Sequence, residues 1–381
     1  METKLEKEIL RGRINKRDED MRGAYLRDQT ALVHSSPFRR LKHKTQVFFD
    51  PDNDHVCTRI EHVMHVATIA ATICKGINKN GGNLNEELAT VIGLGHDIGH
   101  APFGHAGEST LSELLAKPDE FIHEVNGLRV VDFLANNGSG LNLTYAVRDG
   151  IICHNGEEFE QEIEPRSDSI DLRLIKNRSK YPISYEACIV RMSDKIAYLG
   201  RDIEDALTAN VIGLKDLPPE LEGKSDIINS HLINEFVIDV VNTSIEKGKI
   251  ALSDEKYELI TIMRDFNYDV IYKSSVLKEY IAFCKNIIKA LFDYLLELHN
   301  KNGTNFDRYS KGSSILDLRF GKYMEKMKDA YAASNTTANL IVADYISGMT
   351  DKYALECMKQ ITIPKPISFE PRLPKYESVS E

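Results

Sequence analysis

Hydrophobic residues recur with helical spacing over long stretches of the chain. Val63, Val66, Ala70 and Ile73 lie on one face of a predicted helix spanning 59–75. The polar residues between them fall on the opposite face. This pattern predicts an amphipathic helix that packs one side against a core.

A second helix is predicted directly downstream. Asn85 is a suitable N-cap, and Leu88, Val91 and Ile92 provide the apolar face. The helix should end in the glycine-punctuated stretch HDIGHAPFGHAGE, residues 96–108. Polar residues therefore cluster where an apolar helix stops.

The remaining pattern is also helical. Further helices are predicted over 124–135 and 184–209 and over most of the chain to about residue 360, with a polar irregular stretch at 154–182 and a loop at 300–314. The sequence contains no repeats and no convincing β-alternation, so the predicted fold class is all-α, a helical bundle. Gly213–Gly223, with two prolines, is the best candidate boundary. The predicted regions are a charged N-terminal arm (1–30), a main domain (31–212) and a helical C-terminal region (213–381) that completes the substrate pocket and makes oligomer contacts.

Composition narrows the function classes. The chain has 381 residues and a net charge of −10, which argues against non-specific nucleic-acid binding as its main role. Six cysteines form no CxxC pair, so reduced thiols in a cytoplasmic protein are expected. The N-terminus does not resemble a signal peptide, and no apolar run approaches the roughly 20 residues of a membrane helix.

Candidate chemistry is concentrated in the stretch 96–108. It contains His96, Asp97, His100, His105 and Glu108, although the whole protein has only 12 histidines. An isolated His-Asp pair usually indicates no more than a hydrogen bond at a helix end. The density of imidazoles and carboxylates here favours a metal or catalytic site instead.

Two other segments supply matching groups. Arg59 and His62 lie one turn apart on the first helix, and Asp194 sits among apolar residues of the helix 184–209. A buried carboxylate there needs a cation or several donors. Together with His96 and Asp97, they form a mixed nitrogen and oxygen set that suits Mn, Fe, Co, Ni or Zn.

The order and the amino-acid sequences of several segments resemble those of a known family. HSSPFRRLKHKTQVF (34–48), TRIEH (58–62), GHDIGHAPFGHAGE (95–108) and RMSDKIAYLGRDIEDA (191–206) look like segments of the deoxynucleoside triphosphate triphosphohydrolases. That dGTPase group belongs to the HD phosphohydrolase superfamily, whose metal pattern is H…HD…D. The match is dense over 27–210 and thin afterwards. It implies an HD-domain helical bundle with a helical C-terminal extension.

The resemblance also implies a ligand set and a reaction. His62, His96, Asp97 and Asp194 would bind a divalent cation, Mn²⁺ by preference, with Mg²⁺, Fe²⁺, Co²⁺, Ni²⁺ and Zn²⁺ as alternatives. A metal-activated hydroxide would attack the α-phosphorus of a dNTP and release a deoxynucleoside and inorganic triphosphate.

Acid–base roles follow from the same resemblance. His105 would protonate the leaving 5′-oxygen and Glu108 would orient it, the alternative being a capping pair at a helix start. His100 and His123 would stabilise charge on the α-phosphate. The sequence around His123 differs from the one that is common in the family, so the alternative is that His123 is a surface histidine without a catalytic role.

Substrate-binding residues are implied as well. Tyr198 would contact the deoxyribose and exclude a 2′-hydroxyl, and Gln46 and Asp202 would hold the 3′-hydroxyl. Tyr198 is otherwise explained as a half-buried core tyrosine. Arg59 and Lys195 would bind the triphosphate.

The resemblance leaves several points open. Members are commonly tetramers or hexamers, some are activated by a nucleotide at a second site, and some bind single-stranded nucleic acid. The preferred dNTP is open, with dGTP as the family-level expectation. The alternatives are another HD phosphohydrolase, such as a 5′-nucleotidase or phosphodiesterase, and a non-catalytic HD-fold regulator.

Overall fold

The computed structural model describes residues 1–3, 5–47, 57–115, 120–155, 159–221, 228–311 and 314–363. Phe48 of the segment 34–48, Glu222 and Gly223 of the predicted boundary, and residues 364–381 lie outside the described residues. Over the described residues the fold is helical, as the sequence predicts. The helices of the first half are α1 (Lys7–Arg11), α2 (Gly23–Val33), α3 (Ser36–Arg40), α4 (Arg59–Lys79), α5 (Glu86–Gly95), α6 (Gly104–Leu115), α7 (His123–Arg129), α8 (Ala135–Gly138), α9 (Tyr145–Ile152) and α10 (Tyr185–Thr208).

The second half continues the helical pattern. Its helices are α11 (Ile228–Lys247), α12 (Asp254–Phe266), α13 (Ser275–Asn302), α14 (Phe306–Ser310), α15 (Ile315–Ser334), α16 (Ala338–Ser347) and α17 (Asp351–Thr362). Two short strands, β1 (Glu162–Ile163) and β2 (Ile250–Ala251), pair antiparallel. This small ladder joins the irregular stretch after α9 to the loop after α11, and two-residue strands are too short to produce an alternation in the sequence.

Local signals set the ends of the helices that carry the site. The carboxylate of Glu61 accepts a hydrogen bond from the Thr58 amide at 2.8 Å, so the chain turns into α4 there. The predicted N-cap of α5 is confirmed, because Asn85 Oδ1 accepts from the Leu88 amide at 2.9 Å. Helix α5 stops at Gly95, and His96–Gly99 form a single 3₁₀ turn.

Two hydrophobic cores hold the molecule together. In the first, α4, α5, α10 and α11 pack around residues such as Val66, Ile73, Ile92 and Ile189. The predicted apolar face of α4 is therefore buried. Leu10 and Tyr25 from the N-terminal segment also join this core, because α1 and α2 fold back onto it.

The second core belongs to the C-terminal half. Helices α13, α15, α16 and α17 contribute buried residues that include Leu291, Phe320, Val342 and Ile346. Helix α6 packs on α13 and α16, so the segment that follows the His-rich turn is held by this second core. The His-rich turn thus lies at the junction of the two cores.

Some boundaries differ from the predicted ones. Helix α7 begins at His123 and passes into a π-helical turn over Val130–Leu134, where a regular helix over 124–135 was predicted. The predicted loop at 300–314 contains the short helix α14. Such shifts are expected where tertiary contacts decide the ends of an element.

All six cysteines are buried free thiols. Burial raises the pKa of the Cys57 and Cys284 thiols to about 12 and that of Cys357 to about 11. Burial raises the pKa of the remaining three thiols as well.

Among the described residues, none of the helices combines the length and the apolar character needed to cross a lipid bilayer.

Candidate metal and active site

A cavity of about 580 Å³ lies between the two cores. This volume is in the range of small-molecule sites. One wall comes from the first half of the chain and includes Gln46, Arg59, His62, Asp97, His100, Phe103, His105, Ala106, His123, Asp194, Tyr198 and Asp202. The opposite wall comes from the C-terminal half and includes Arg264, Asp265, Tyr268, Tyr272, Leu277, Tyr280 and Ile281.

Three predicted metal ligands converge at the base of the cavity. The Nε2 atoms of His62 and His96 lie 3.3 Å apart, and Asp194 Oδ1 lies 3.0 Å from His62 Nε2. Donor atoms of these three residues all lie within 4.8 Å of one another. They come from α4, from the turn after α5 and from α10, which are far apart in sequence.

The tautomer of His96 suits a ligand. Its Nδ1 lies 2.7 Å from the Gly93 carbonyl oxygen, which can only accept, so Nδ1 carries a proton. The lone pair of Nε2 then points toward His62 and Asp194. Ligating histidines usually donate their second nitrogen to a backbone carbonyl in this way.

The fourth predicted ligand, Asp97, lies beside this group. Its Oδ1 is 3.5 Å from His96 Nε2 and its Oδ2 is 3.8 Å from His62 Nε2. Arg59 holds the same carboxylate, with Nη1 2.5 Å from Oδ2. Burial opposes ionisation of Asp97, but its neighbours His100, His96 and Arg59 together lower its pKa well below the usual range. The group is therefore a carboxylate.

The acid–base residues form a second layer. His100 stacks on His123 with ring centroids 3.8 Å apart. Glu108 Oε2 lies 2.9 Å from His123 Nδ1 and 3.6 Å from His105 Nδ1. The sequence assigned Glu108 to His105, whereas the structure brings its carboxylate closer to His123. His105 lines the cavity with 67% of its side chain exposed.

Three residues that the sequence analysis did not single out complete this layer. His154 Nε2 lies 3.2 Å from His123 Nε2, and its Nδ1 lies 2.7 Å from the Ile151 carbonyl. Arg178 Nη2 donates to Glu108 at 2.9 Å and Arg178 Nε to Glu124 at 2.8 Å. His154 follows an apolar run at a helix end, as His96 does, and this signal could have revealed it.

These contacts determine the charge on His123. Burial disfavours its imidazolium, but the carboxylates of Glu108 and Glu124 outweigh burial and raise its pKa to about 9. His100 differs, because burial and the charge of Arg59 lower its pKa well below the usual range. The site thus contains one cationic and one neutral imidazole in stacking contact.

Comparison with known proteins agrees with this geometry. The family model of the HD domain matches residues 59–199, and that of the phosphohydrolase-associated domain matches residues 250–360. A deoxyguanosinetriphosphate triphosphohydrolase-like protein of Caldanaerobacter subterraneus is 36% identical over 93% of this chain and 90% of its own length. The chain belongs to this family of HD-domain phosphohydrolases. Proteins with the same description from Clostridium tetani and Desulfatibacillum aliphaticivorans are each 35% identical over more than nine-tenths of this chain.

The HD-domain model covers all four predicted ligands. HD domains of this family bind divalent metal ions, and the cluster around His62 could hold one. Membership also accounts for the helical fold and the hydrolase class. The roles of individual side chains in this HD-domain protein stay predictions.

The predicted sugar-binding residues meet in one part of the cavity. Gln46, Tyr198 and Asp202 all line it. Gln46 Oε1 and Asp202 Oδ1 are buried oxygens without a hydrogen-bond partner among the described residues. Tyr272 donates a short hydrogen bond to the other oxygen of Asp202. Burial raises the pKa of Asp202 to about 8.

Three predicted site residues, His96, Glu108 and Lys195, do not line the cavity. His96 and Glu108 contact His62 and His123, which do line it, whereas Lys195 pairs with a residue outside the site.

Lys195 Nζ bonds to Glu160 Oε2 at 3.0 Å, and Arg191 makes a short contact with the other oxygen. The lysine is buried, and burial lowers its pKa to about 8. The helical register of α10 explains this, because consecutive residues point about 100° apart, and Asp194 already faces the cavity.

The C-terminal half contributes a cation that the sequence analysis missed. Arg264, near the end of α12, lines the cavity, and its guanidinium lies 5.1 Å from the ring centroid of Phe159. Arg264 also bonds to the exposed Asp265. Its position could not be derived from the sequence, because the match to the family segments is thin there.

Proposed function

We propose that the protein hydrolyses deoxynucleoside triphosphates to a deoxynucleoside and inorganic triphosphate, by attack of water on the α-phosphorus. The observation that carries the proposal is a single cavity that combines a convergent His/Asp cluster, an exposed histidine beside a buried glutamate, and two unpartnered oxygens. These features match the three tasks of binding a metal ion, transferring a proton and recognising the sugar of the nucleotide. The relatives' description as deoxyguanosinetriphosphate triphosphohydrolase-like supports the substrate class.

The metal-binding residues in this proposal are His62, His96, Asp97 and Asp194. The two imidazole Nε2 atoms lie 3.3 Å apart, and each lies 3.0–3.8 Å from an oxygen of both carboxylates. This donor set fits a first-row divalent ion, with Mn²⁺ our first choice. When bound, the ion would supply Lewis acidity for water and for a phosphoryl oxygen. Arg59 keeps Asp97 ionised and fixed in orientation.

His105 holds the proton that the leaving 5′-oxygen needs. Its exposed ring lines the cavity, and Glu108 supports it from 3.6 Å. This separation is longer than a hydrogen bond, and such contacts often tighten only when substrate is bound. Glu108 is itself fixed by the His123 amide at 3.0 Å and by Arg178.

The α-phosphate lies against the stacked imidazoles. His123 is held as a cation by Glu108 and Glu124, so it offers positive charge where negative charge develops. The Nε2 atom of His100 is buried without a hydrogen-bond partner among the described residues. Arg59 and Arg264 supply further positive charge along the same cavity. Lys195 stays a prediction for triphosphate binding and would have to leave Glu160 to act there.

The deoxyribose lies between Tyr198 and the two unpartnered oxygens. Gln46 Oε1 needs a donor, which the sugar 3′-hydroxyl supplies. Asp202, whose raised pKa keeps it protonated at neutral pH, can donate from Oδ1 to the oxygen of the same hydroxyl, because Tyr272 donates to its Oδ2. Tyr198 would occupy the space of a 2′-hydroxyl. Because ribose has the same 3′-hydroxyl, selection against it depends on the collision of its 2′-hydroxyl with Tyr198.

Product analysis tests the proposal. Purified protein is incubated with Mn²⁺ and each dNTP or GTP in H₂¹⁸O, and the products are separated by ion exchange. We expect deoxynucleoside and triphosphate, with the label in the triphosphate because water attacks phosphorus. Pyrophosphate, free phosphate or label in the nucleoside would contradict the reaction and favour a different HD phosphohydrolase.

Metal content gives a readout that does not depend on turnover. Asp194→Ala should purify with less than a tenth of the wild-type metal while keeping its helical circular dichroism. Asp202→Ala, two turns along α10, is the matched control and should keep its metal. Equal metal content in both variants would remove Asp194 from the ligand set.

Other expectations from the resemblance stay predictions. They are a cytoplasmic location, a tetramer or hexamer, activation by a nucleotide at a second site, and binding of single-stranded nucleic acid.

A further inference from the structure

A buried carboxylate from the C-terminal half holds two loops of the cavity. Asp351 is the first residue of α17 and is 1% exposed. Its Oδ2 accepts from the Thr45 amide at 2.8 Å and its Oδ1 from the Phe103 amide at 2.9 Å.

Both amides stand next to residues of the proposed reaction. Thr45 precedes Gln46, and Phe103 lies two residues before His105. Phe103 has φ of 64°, a left-handed backbone conformation that is strained for a non-glycine residue. Asp351 therefore holds the chain at its strained point, immediately before α6 presents His105 and Glu108.

A second buried link runs parallel to the first. Lys44, which is 3% exposed, donates from Nζ to the Ser347 carbonyl at 2.8 Å and makes a short bond to the His100 carbonyl. Lys44 thereby joins the start of the same loop to the end of α16. The loop from His100 to His105 is tied to the C-terminal helices at both ends.

We propose that Asp351, together with Lys44, positions His105 relative to the rest of the cavity. Neither residue lines the cavity, so they act through the loops they hold. This inference rests on the proposed function, because it assigns a task to the phosphohydrolase-associated part of the chain in that reaction. The C-terminal half would then set the geometry of catalytic groups that belong to the HD domain.

The central test is Asp351→Asn in the full-length chain. The asparagine keeps one acceptor oxygen and turns an NH₂ group toward the other amide, so one of the two hydrogen bonds is lost. We expect kcat for dGTP to fall by roughly 10- to 100-fold with little change in KM, as for a small misplacement of a reacting group. An unchanged kcat would overturn the proposal.

Asp317→Asn is the matched control. Asp317 is also a buried aspartate in the first turn of a C-terminal helix, where its Oδ1 accepts from Tyr294 and Ser314. It is not among the described residues that line the cavity, so its replacement should affect thermal stability only. An equal loss of kcat in Asp317→Asn would overturn the positioning role, because it would show a general effect of helix destabilisation.

A double-mutant cycle separates positioning from other effects. If Asp351 acts through His105, Asp351→Asn should lower kcat by less than about 3-fold in a His105→Ala background. A fully additive loss would contradict the inference. If Asp351→Asn does not fold, Lys44→Met, which keeps the stem volume without its donors, is measured in the same way.

Hydrogen exchange separates this inference from the proposed function. Amides of residues 100–107 should exchange faster in Asp351→Asn than in wild type or in Asp317→Asn, whether or not the protein turns over dNTPs. Absence of dNTP hydrolysis in wild type would defeat the proposed function alone. Unchanged exchange in this segment would defeat the positioning role alone.

Discussion

At the scale of single residues, the site depends on the Glu108 carboxylate, which interacts with several cationic or titratable side chains. Glu108 contacts His105, His123 and Arg178, so its charge supports an exposed imidazole and a buried one together. The buried imidazole becomes a fixed cation, whereas the exposed one keeps access to substrate. Two histidines of the same cluster can therefore have different tasks.

His105→Ala should remove the proton donor for the leaving oxygen. We expect kcat for dGTP to fall by about 10²- to 10⁴-fold with KM little changed, since the proton moves only in the transition state. Ser109→Ala, an exposed position one turn along α6, is the control and should keep full activity. Steady-state kinetics measure both, and retained turnover in His105→Ala would assign the proton to another group.

Asp205 gives a pH dependence of stability. Burial raises its pKa from 3.8 to about 6, although the Cys57 amide donates to it. The folded form therefore prefers the protonated acid, and this contribution to stability is complete below pH 4 and is lost as the pH rises through 6. Asp205→Asn should be more stable than wild type at pH 8 by at most about 3 kcal/mol and nearly equal at pH 4. Urea unfolding at the two pH values measures this, with the exposed Asp293→Asn as control; a constant difference across pH would contradict it.

At the scale of elements, close backbone packing sets the His-rich turn. A Cβ added at Gly99 would lie 2.0 Å from the His123 carbonyl oxygen and 2.2 Å from the Gly127 nitrogen. The 3₁₀ turn with His96 and Asp97 therefore rests directly on α7. The two layers of the site share this backbone contact.

Gly99→Ala should push the turn away from α7. We expect the free energy of unfolding to fall by about 3 kcal/mol, the upper end of ordinary overpacking, together with a loss of bound metal. Gly213→Ala, where the nearest atom to the new Cβ is at 3.5 Å, should change neither quantity. Denaturant unfolding measures the stability and metal analysis measures the bound metal. A Gly99→Ala variant that is stable and metal-loaded would contradict the prediction and show that the turn can move.

The sequence predicted those parts of the site that depend on local pattern. The helix of His62, the cap at Asn85 and the break after Gly95 all follow from spacing and capping chemistry. Arg178 and Arg264 could not be predicted, because one lies in an irregular polar stretch and the other on a helix whose docking is set by distant contacts. Lys195 was predicted to bind substrate because it is next to Asp194 in the sequence. Adjacent residues of a helix do not lie on the same face, so this inference from sequence was insufficient.

At the scale of the whole molecule, the cavity needs both cores. The first core supplies the proposed metal ligands and the segment with Arg264 and Tyr272, whereas Phe103, Ala106 and Ile281 on the cavity wall belong to the second core or pack against it. Helix α6 connects them, since it begins in the His-rich segment and packs on α13. Nucleotide binding should therefore be sensitive to the relative position of the two halves.

The buried cysteines make it possible to measure whether the two cores unfold together. Cys74 and Cys188 lie in the first core and Cys284 and Cys357 in the second. Because thiolates react and buried thiols with raised pKa values do not, alkylation with iodoacetamide can proceed only when a core opens. If the two cores unfold as one unit, mass spectrometry of timed samples should show all four thiols modified at one common rate. Earlier modification of Cys284 and Cys357 would show that the second core opens first. The native chain thus contains its own reporters of cooperativity.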